Sequence, residues 1–303
     1  MQLFPKKLSQ IYLVLFVSAF LTITGNFTFF QKTILIYPLS ENWLFLGSLF
    51  FFLFTFLAAL LLLFCYRVTT KPILIALLMI SAIVSYSTNN YGIVFDHNMI
   101  LNTFETDTSE FLDLVSFKSI LYFFIFGLLP SIFVLKVKLK KISFKAQLWE
   151  RIKTFLVLVI IFVIIVLTFS KHYSSFAREN RDLRLYITPT YYLYSATKFV
   201  DSKFATSTKP FKEIGLDAKL NKKSDTRRLV ILVVGETARA DHMSLNGYDR
   251  NTNPYLEKEE IISFDKMTSC GTDTALSVPC MFSLLDRSSY NHAKGKNMSN
   301  VLD

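Results

Sequence analysis

Two stretches of the chain carry side chains that could do chemistry. The first is SCGTDTALSVPCMFS, residues 269–283, in which Cys270 and Cys280 bracket a run of small hydroxylated residues and Thr274 sits between Asp273 and Ala275. The second is LVILVVGET, residues 229–237, a continuous apolar run ending in Gly235, Glu236 and Thr237. A hydroxyl at the start of a helix meets unpaired backbone N–H groups and the positive end of the helix dipole, which suits a phosphate. That setting does not make Thr274 a nucleophile, because its hydroxyl is far too weak an acid. A metal ion binding its oxygen would supply the missing stabilisation of the alkoxide. Glu236 offers an anionic ligand for that metal, since chemistry in open α/β sheets sits just beyond the carboxyl ends of strands. The plainer alternative is a capped Ser/Thr-rich loop together with a strand that ends in a solvated acid.

These residues need elements to hold them. The run 229–234 lies between Arg228 and Gly235 and has the pattern of a strand buried on both faces, as in a parallel sheet. A helix is expected after Thr274, with Pro279 inside it or ending it. Ahead of both, the composition changes character. Of the 303 residues 52% are hydrophobic, Phe alone occurs 31 times, and the apolar residues crowd into the first 170 positions. That distribution describes a membrane domain followed by a water-facing one.

A membrane span needs about 20 apolar residues. Five segments qualify, over 10–30, 43–66, 72–87, 119–135 and 155–170, with Pro130 expected to kink the fourth. The first lacks a small-x-small cleavage site and is followed by further spans, so it reads as a signal anchor rather than a removable leader. Lys6 and Lys7 precede it, Arg67 and Lys71 follow the second span, and KVKLKKISFKAQLWERIK joins the fourth to the fifth. By the excess of positive charge in cytoplasmic loops, these three regions face the cytoplasm. The loop 88–117 has no Lys or Arg but holds Asp96, Glu105, Asp107, Glu110 and Asp113, and faces outward. An odd number of spans then places everything after 170 outside, in a bacterium the periplasm. There Cys270 and Cys280 can form a disulfide. Zinc ligation by the same pair would need two more soft ligands nearby, and none is offered. Cys65, at the inner end of the second span, is expected to be a small buried apolar side chain.

The net charge of +10 fits nucleic acid or membrane phosphates. No helix-turn-helix, RNA-binding or zinc-finger pattern is present, so anionic lipid is the expected partner and nucleic acid is excluded. Residues 171–228 form a connecting segment. Its first part interleaves His172, Tyr173, Phe176, Arg178, Arg181, Arg184, Tyr186 and Tyr192, which suits either the headgroup layer or a solvated linker with core-facing rings. The later part, STKPFKEIGLDAKLNKKSDT, reads as a polar tether.

VVGETARADHMSLNGYDRNTNP followed by SCGTDTALSVPCMFS resembles the phosphoethanolamine–lipid A transferases, which include the mobilised colistin-resistance enzymes. The likeness covers the whole chain, including YGIVFDHNMILNTFETDTSE in the outward loop and HYSSFARENRDLRLYITP after the last span. It implies a five-helix membrane domain over 1–170 and the N-terminal part of an alkaline-phosphatase-like α/β/α periplasmic domain over 229–303, with zinc as cofactor. It implies that Thr274 is the nucleophile that becomes phosphoethanolamine-modified, that Glu236 and Thr274 bind zinc, and that Cys270 and Cys280 form a disulfide around the nucleophile loop. Asn102, Thr106 and Glu110 match residues that bind the donor headgroup. Their i, i+4, i+8 spacing puts them on one helix face, which by itself describes a solvated polar face equally well.

The implied reaction is a double displacement. The Thr274 alkoxide attacks the phosphorus of phosphatidylethanolamine and releases diacylglycerol, and a lipid A phosphate then takes the group from the threonine. The family continues far beyond the equivalent of Asp303 and carries its remaining zinc ligands there. None of His97, His172, His242 and His292 replaces them, and His242 is expected to have a surface or packing role. About 75 residues from Leu229 onward are too few for both faces of a large α/β sheet. The chain is therefore expected to be a truncated product with an incomplete zinc site, inactive alone and monomeric. The alternatives are a core-sugar or other glycan acceptor, or a non-catalytic lipid-binding module.

Overall fold

The computed structural model describes residues 7–105, 115–140, 142–204, 212–217, 219, 229–235, 238–264, 266–271 and 274–290, with the backbone alone at 105, 202–204 and 275. The chain forms two units, Met1–Phe204 and Ala205–Asp303.

Four helices of the first unit are long and apolar enough to cross a membrane: α3 (Leu39–Phe64), α4 (Thr70–Tyr91), α6 (Phe117–Lys136) and α7 (Phe144–Thr168). A fifth span results if α1 (Gln10–Gly25) and α2 (Phe27–Ile36), bent by 57°, are counted together. The first apolar segment is thus a broken pair rather than one straight helix, and Asn26 explains the break. Its side-chain amide donates to the carbonyls of Leu21 (3.2 Å), Thr22 (3.3 Å) and Thr188 (2.8 Å), and its Oδ1 accepts from the Thr188 N–H at 2.9 Å. Carbonyls freed by a break inside a membrane protein need such partners, because lipid supplies none.

α1 packs against α3 and α4, α7 lies along α3, and α6 lies along α4. The core joins Leu13, Val14, Val17 and Leu21 of α1 to Leu57, Leu61 and Leu62 of α3 and to Leu74 and Leu78 of α4. α7 instead exposes Leu156, Val157, Ile160, Ile164 and Leu167. An apolar stripe of that length belongs in hydrocarbon, not water. α4 ends at Gly92, whose φ of +69° allows its N–H to close on the Ser87 and Thr88 carbonyls. In α6, Pro130 is accommodated by a wide turn over Phe124–Leu128, and the Ser131 hydroxyl donates to the Gly127 carbonyl at 2.6 Å.

After α7 the chain does not leave the bundle at once. α8 (Ser170–Glu179), a 3-10 turn (Arg181–Tyr186) and α9 (Thr190–Phe204) follow. Tyr173, Phe176, Tyr186 and Leu183 pack with Phe29, Phe45 and Leu49 in a second apolar cluster, while Arg178, Arg181 and Arg184 stay exposed. The aromatic half of this segment is core-facing and the cationic half faces out.

The second unit departs from the sequence expectation. The run 229–235 has no strand partner among the described residues, and its side chains from Leu229 to Val234 are 41–86% exposed. A strand buried on both faces needs neighbours to take its N–H and C=O groups and to cover its side chains. The described residues include none.

Candidate functional site

In the second unit, α10 (Thr274–Met281) starts at Thr274, whose side chain is exposed. The helix expected after this threonine is present, with Pro279 inside it. Cys270 and Cys280 are joined in a disulfide with Cα atoms 6.3 Å apart, within the usual span of such a bridge. The bridge ties the last turn of α10 to the chain just ahead of its start. Ser269 tightens the approach, donating from its hydroxyl to the Gly271 carbonyl at 2.6 Å and accepting from the Gly271 N–H at 3.2 Å. Gly271 lies close under the Leu276 side chain, whose tip a Cβ there would have to displace. The sulfurs are committed to each other and cannot be metal ligands. The first turn of α10 offers backbone N–H groups and a hydroxyl together, the arrangement that binds a phosphoryl oxygen.

Glu236, at the end of the apolar run, lies outside the described residues. Among the described residues, no group of three or more His, Cys, Asp or Glu could hold a metal. Thr274 and Glu236 are oxygen donors suited to zinc, but two donors are fewer than a zinc site uses.

The loop 239–253 is knotted by local hydrogen bonds. Arg239 makes a two-point contact to Asp241 (Nε–Oδ1 3.0 Å, Nη2–Oδ2 2.6 Å), and His242 Nδ1 lies 3.1 Å from Asp241 Oδ1. The Arg239 guanidinium and then His242 hold the Asp241 carboxyl down to about 2. The Thr252 hydroxyl donates to the His242 carbonyl and accepts the Ser244 N–H, at 2.8 and 2.9 Å. The His242 ring packs on Tyr248 with centroids 4.8 Å apart. His242 is thus a surface-and-packing residue, as its sequence context indicates.

In the first unit, α5 (His97–Glu105) carries Asn102, which is half-buried. Asp96 caps the start of the helix by accepting the Met99 N–H at 2.8 Å. α5 docks on α9, where Phe104 stacks on Phe199 at 5.2 Å. α9 is anchored in turn by Tyr192, whose hydroxyl lies 3.2 Å from that of Ser81 and whose burial pushes its pKa up to about 12. Thr106 and Glu110 lie outside the described residues, so Asn102 alone of the three is placed, on a helix held by aromatic contacts. Sequence reading missed the anchoring role of α9 and the Asn26–Thr188 connection. The signal for the latter was a lone Asn in an apolar segment, a costly residue there unless paired.

The family model for phosphoethanolamine transferase EptA/EptB matches residues 53–204, and the sulfatase model matches residues 228–303. The Escherichia coli protein named phosphatidylethanolamine transferase Mcr-1 is 40% identical over 99% of this chain and 57% of its own length. Phosphoethanolamine transferase EptA of Salmonella typhimurium is 30% identical over 98% of this chain and 55% of its own. The solved structure of the integral membrane lipooligosaccharide phosphoethanolamine transferase A of Neisseria meningitidis superposes with a TM-score of 0.88 at 30% identity, over 98% of this chain and 56% of that one. The chain spans about half the length of the curated relatives it matches.

Proposed function

The chain belongs to the phosphoethanolamine transferase EptA/EptB family, and from that premise we propose that it takes part in moving phosphoethanolamine from phosphatidylethanolamine to a phosphate of lipid A. The observation that carries this reading is the position of Thr274, the first residue of a helix closed by the Cys270–Cys280 disulfide. The names of the relatives support the donor and the class of acceptor.

In this reading Thr274 Oγ attacks the donor phosphorus and the bond from phosphorus to the glycerol oxygen breaks. Diacylglycerol leaves with the proton that the threonine gives up. A lipid A phosphate oxygen then attacks the phospho-threonine, its bond to Oγ breaks, and Thr274 regains a proton. The N–H groups of the first turn of α10 receive the charged phosphoryl oxygens in both steps. Zinc, held by Glu236 and Thr274 with further ligands, would help ionise the hydroxyl and offset phosphoryl charge. Asn102 and Thr106 hydrogen-bond the donor headgroup, and the Glu110 carboxylate pairs with its ammonium. Each product gains an ammonium group, so polymyxins and other cationic peptides bind the modified surface less well.

The architecture proposed with this function has five spans, α1 and α2 counting as one, and an α/β/α second domain. It lies in the bacterial inner membrane as a monomer, with the N-terminus in the cytoplasm and the second unit in the periplasm. The test is to supply zinc and phosphatidylethanolamine to the purified chain and to map adducts by mass spectrometry. A competent site gives a phosphoethanolamine adduct on Thr274 that vanishes in Thr274→Ala. An adduct on a different residue would sink the assignment. Bound donor with no adduct, and unmodified lipid A in a polymyxin-sensitive host, is the outcome for a lipid-binding module.

A further inference from the structure

The other end of the bundle carries a second built feature, which the transfer chemistry does not use. The N-termini of α1, α4 and α7 and the C-termini of α3 and α6 meet there. Residues 7–9 are stitched to 138–140 by a parallel bridge between Leu8 and Leu139. The Leu8 N–H donates to the Lys138 carbonyl and the Lys140 N–H to the Leu8 carbonyl, both at 2.9 Å. Lys71 Nζ donates to the Leu135 carbonyl at 2.7 Å, closing the C-terminus of α6.

Two cavities share Leu139 as a wall. One, of about 510 Å³, is lined by Lys7, Lys71, Lys136 and Lys138. The other, of about 380 Å³, is lined by Arg67 and Lys140 with Gln10 and Gln147. Arg67 is held by two contacts, Nε to Gln147 Oε1 at 3.1 Å and Nη2 to the Ile142 carbonyl at 3.4 Å. Gln147 donates to Gln10, and Gln10 donates to Thr70 and, at 3.0 Å, to the Cys65 carbonyl. The Arg67 backbone adopts a φ of +36°, a left-handed conformation uncommon for a residue with a side chain.

Six cations therefore surround two adjoining cavities: Lys71 and Arg67 are held by side-chain hydrogen bonds, and the pairing of residues 7–9 with 138–140 brings Lys7, Lys136, Lys138 and Lys140 beside them. Among the described residues no carboxylate pairs with any of them. Like charges held together in this way repel one another, and an anion between them relieves that repulsion. The setting decides which anion. The cavities open where membrane-crossing helices end, the level of lipid headgroups, and Leu135 on the larger rim is 58% exposed as an apolar neighbour. Basic pockets between helix ends are a known form of anionic headgroup recognition.

We propose that this cationic clasp binds the phosphate of an anionic phospholipid, in the leaflet on the opposite side from α5. The site is separate from donor binding and independent of the transfer reaction.

Native mass spectrometry of the detergent-purified full chain, titrated with phosphatidylglycerol or phosphatidylcholine, tests it. The expected result is a preference of about tenfold or more for phosphatidylglycerol, falling to about twofold or less in Lys7→Gln/Lys136→Gln/Lys138→Gln. The preference should persist in Lys145→Gln/Lys153→Gln, which removes cations that line neither cavity, and in Lys7→Arg/Lys136→Arg/Lys138→Arg. Undiminished preference in the triple Gln variant would overturn the site. Displacement of phosphatidylglycerol by millimolar inorganic phosphate would overturn the lipid as its occupant. If the triple Gln variant does not fold, the salt dependence of the wild-type preference decides. Weakening with salt is expected, and indifference to salt would overturn the proposal.

Discussion

The two units of this chain reach order by different routes. In the first, apolar residues four positions apart on α1, α3 and α4 interdigitate in one core, and polar side chains such as Asn26, Ser81 and Tyr192 are paired across it. In the second, large apolar side chains such as Val230, Ile262 and Met267 are exposed. Its order comes from contacts close in sequence: the knot at 239–253, the Ser269–Gly271 turn and the Cys270–Cys280 bridge. Helices satisfy their own backbone, so a helical unit needs only faces to pack. Strands take their hydrogen bonds from other strands, so an isolated one gains nothing from its apolar pattern. The loop 269–283 is thus placed by covalent and local means, and helix α5 by packing.

That contrast can be broken most strongly at the disulfide. Closing a loop of about ten residues contributes about 3 kcal/mol in the chain-entropy account. Reduction, or Cys270→Ser with Cys280→Ser, should therefore open 269–283 to protease and leave the membrane unit resistant. Cys65, the other cysteine, is buried in the bundle core and has no disulfide to lose. Equal loss of resistance in both units would show that they are not separately stabilised.

The next largest effect is expected at Asn26, which is 1% exposed. Asn26→Leu leaves the Thr188 N–H and carbonyl without their partner and frees the Leu21 and Thr22 carbonyls. Stranding buried groups of this kind costs about 1–3 kcal/mol each before relaxation, so a net loss of about 2 kcal/mol is expected. It should appear as a lowered thermal midpoint of the membrane unit in detergent, with proteolysis at 269–283 unchanged. An unaltered midpoint would mean that the bend does not depend on this side chain.

The same contrast explains what could be read from the sequence. The spans were legible because twenty apolar residues in a row admit few other structures, and α10 because a threonine after a polar loop marks a helix start. The bend at Asn26 was not, because it depends on a residue 162 positions away. The clasp at Leu8 and Leu139 was hidden for the same reason, although each lysine in it was visible as a topology signal. At the candidate site, residue types and spacing singled out Thr274, Glu236 and the two cysteines, but only as one reading among plainer ones. Resemblance to the transferases raised that reading, because a nucleophile is defined by partners brought from elsewhere in the chain. The apolar run at 229 showed the limit of pattern alone. Its composition matches a buried strand, yet burial is a property of neighbours that the pattern does not contain.

The smallest expected effect lies in that run and is the sharpest test of the contrast. Val233 is 83% exposed. Val233→Glu should change stability by no more than about 0.5 kcal/mol, as for an ordinary surface substitution. Amide hydrogen exchange over 229–235 should be fast in both proteins, since no ladder among the described residues protects these N–H groups. A valine buried on both faces would behave oppositely. A carboxylate there would be desolvated without a partner, the loss would reach several kcal/mol, and wild-type exchange would be slow. Slow exchange together with a large loss would show that the run has found strand neighbours. The second unit would then be held by non-local packing, as the first is.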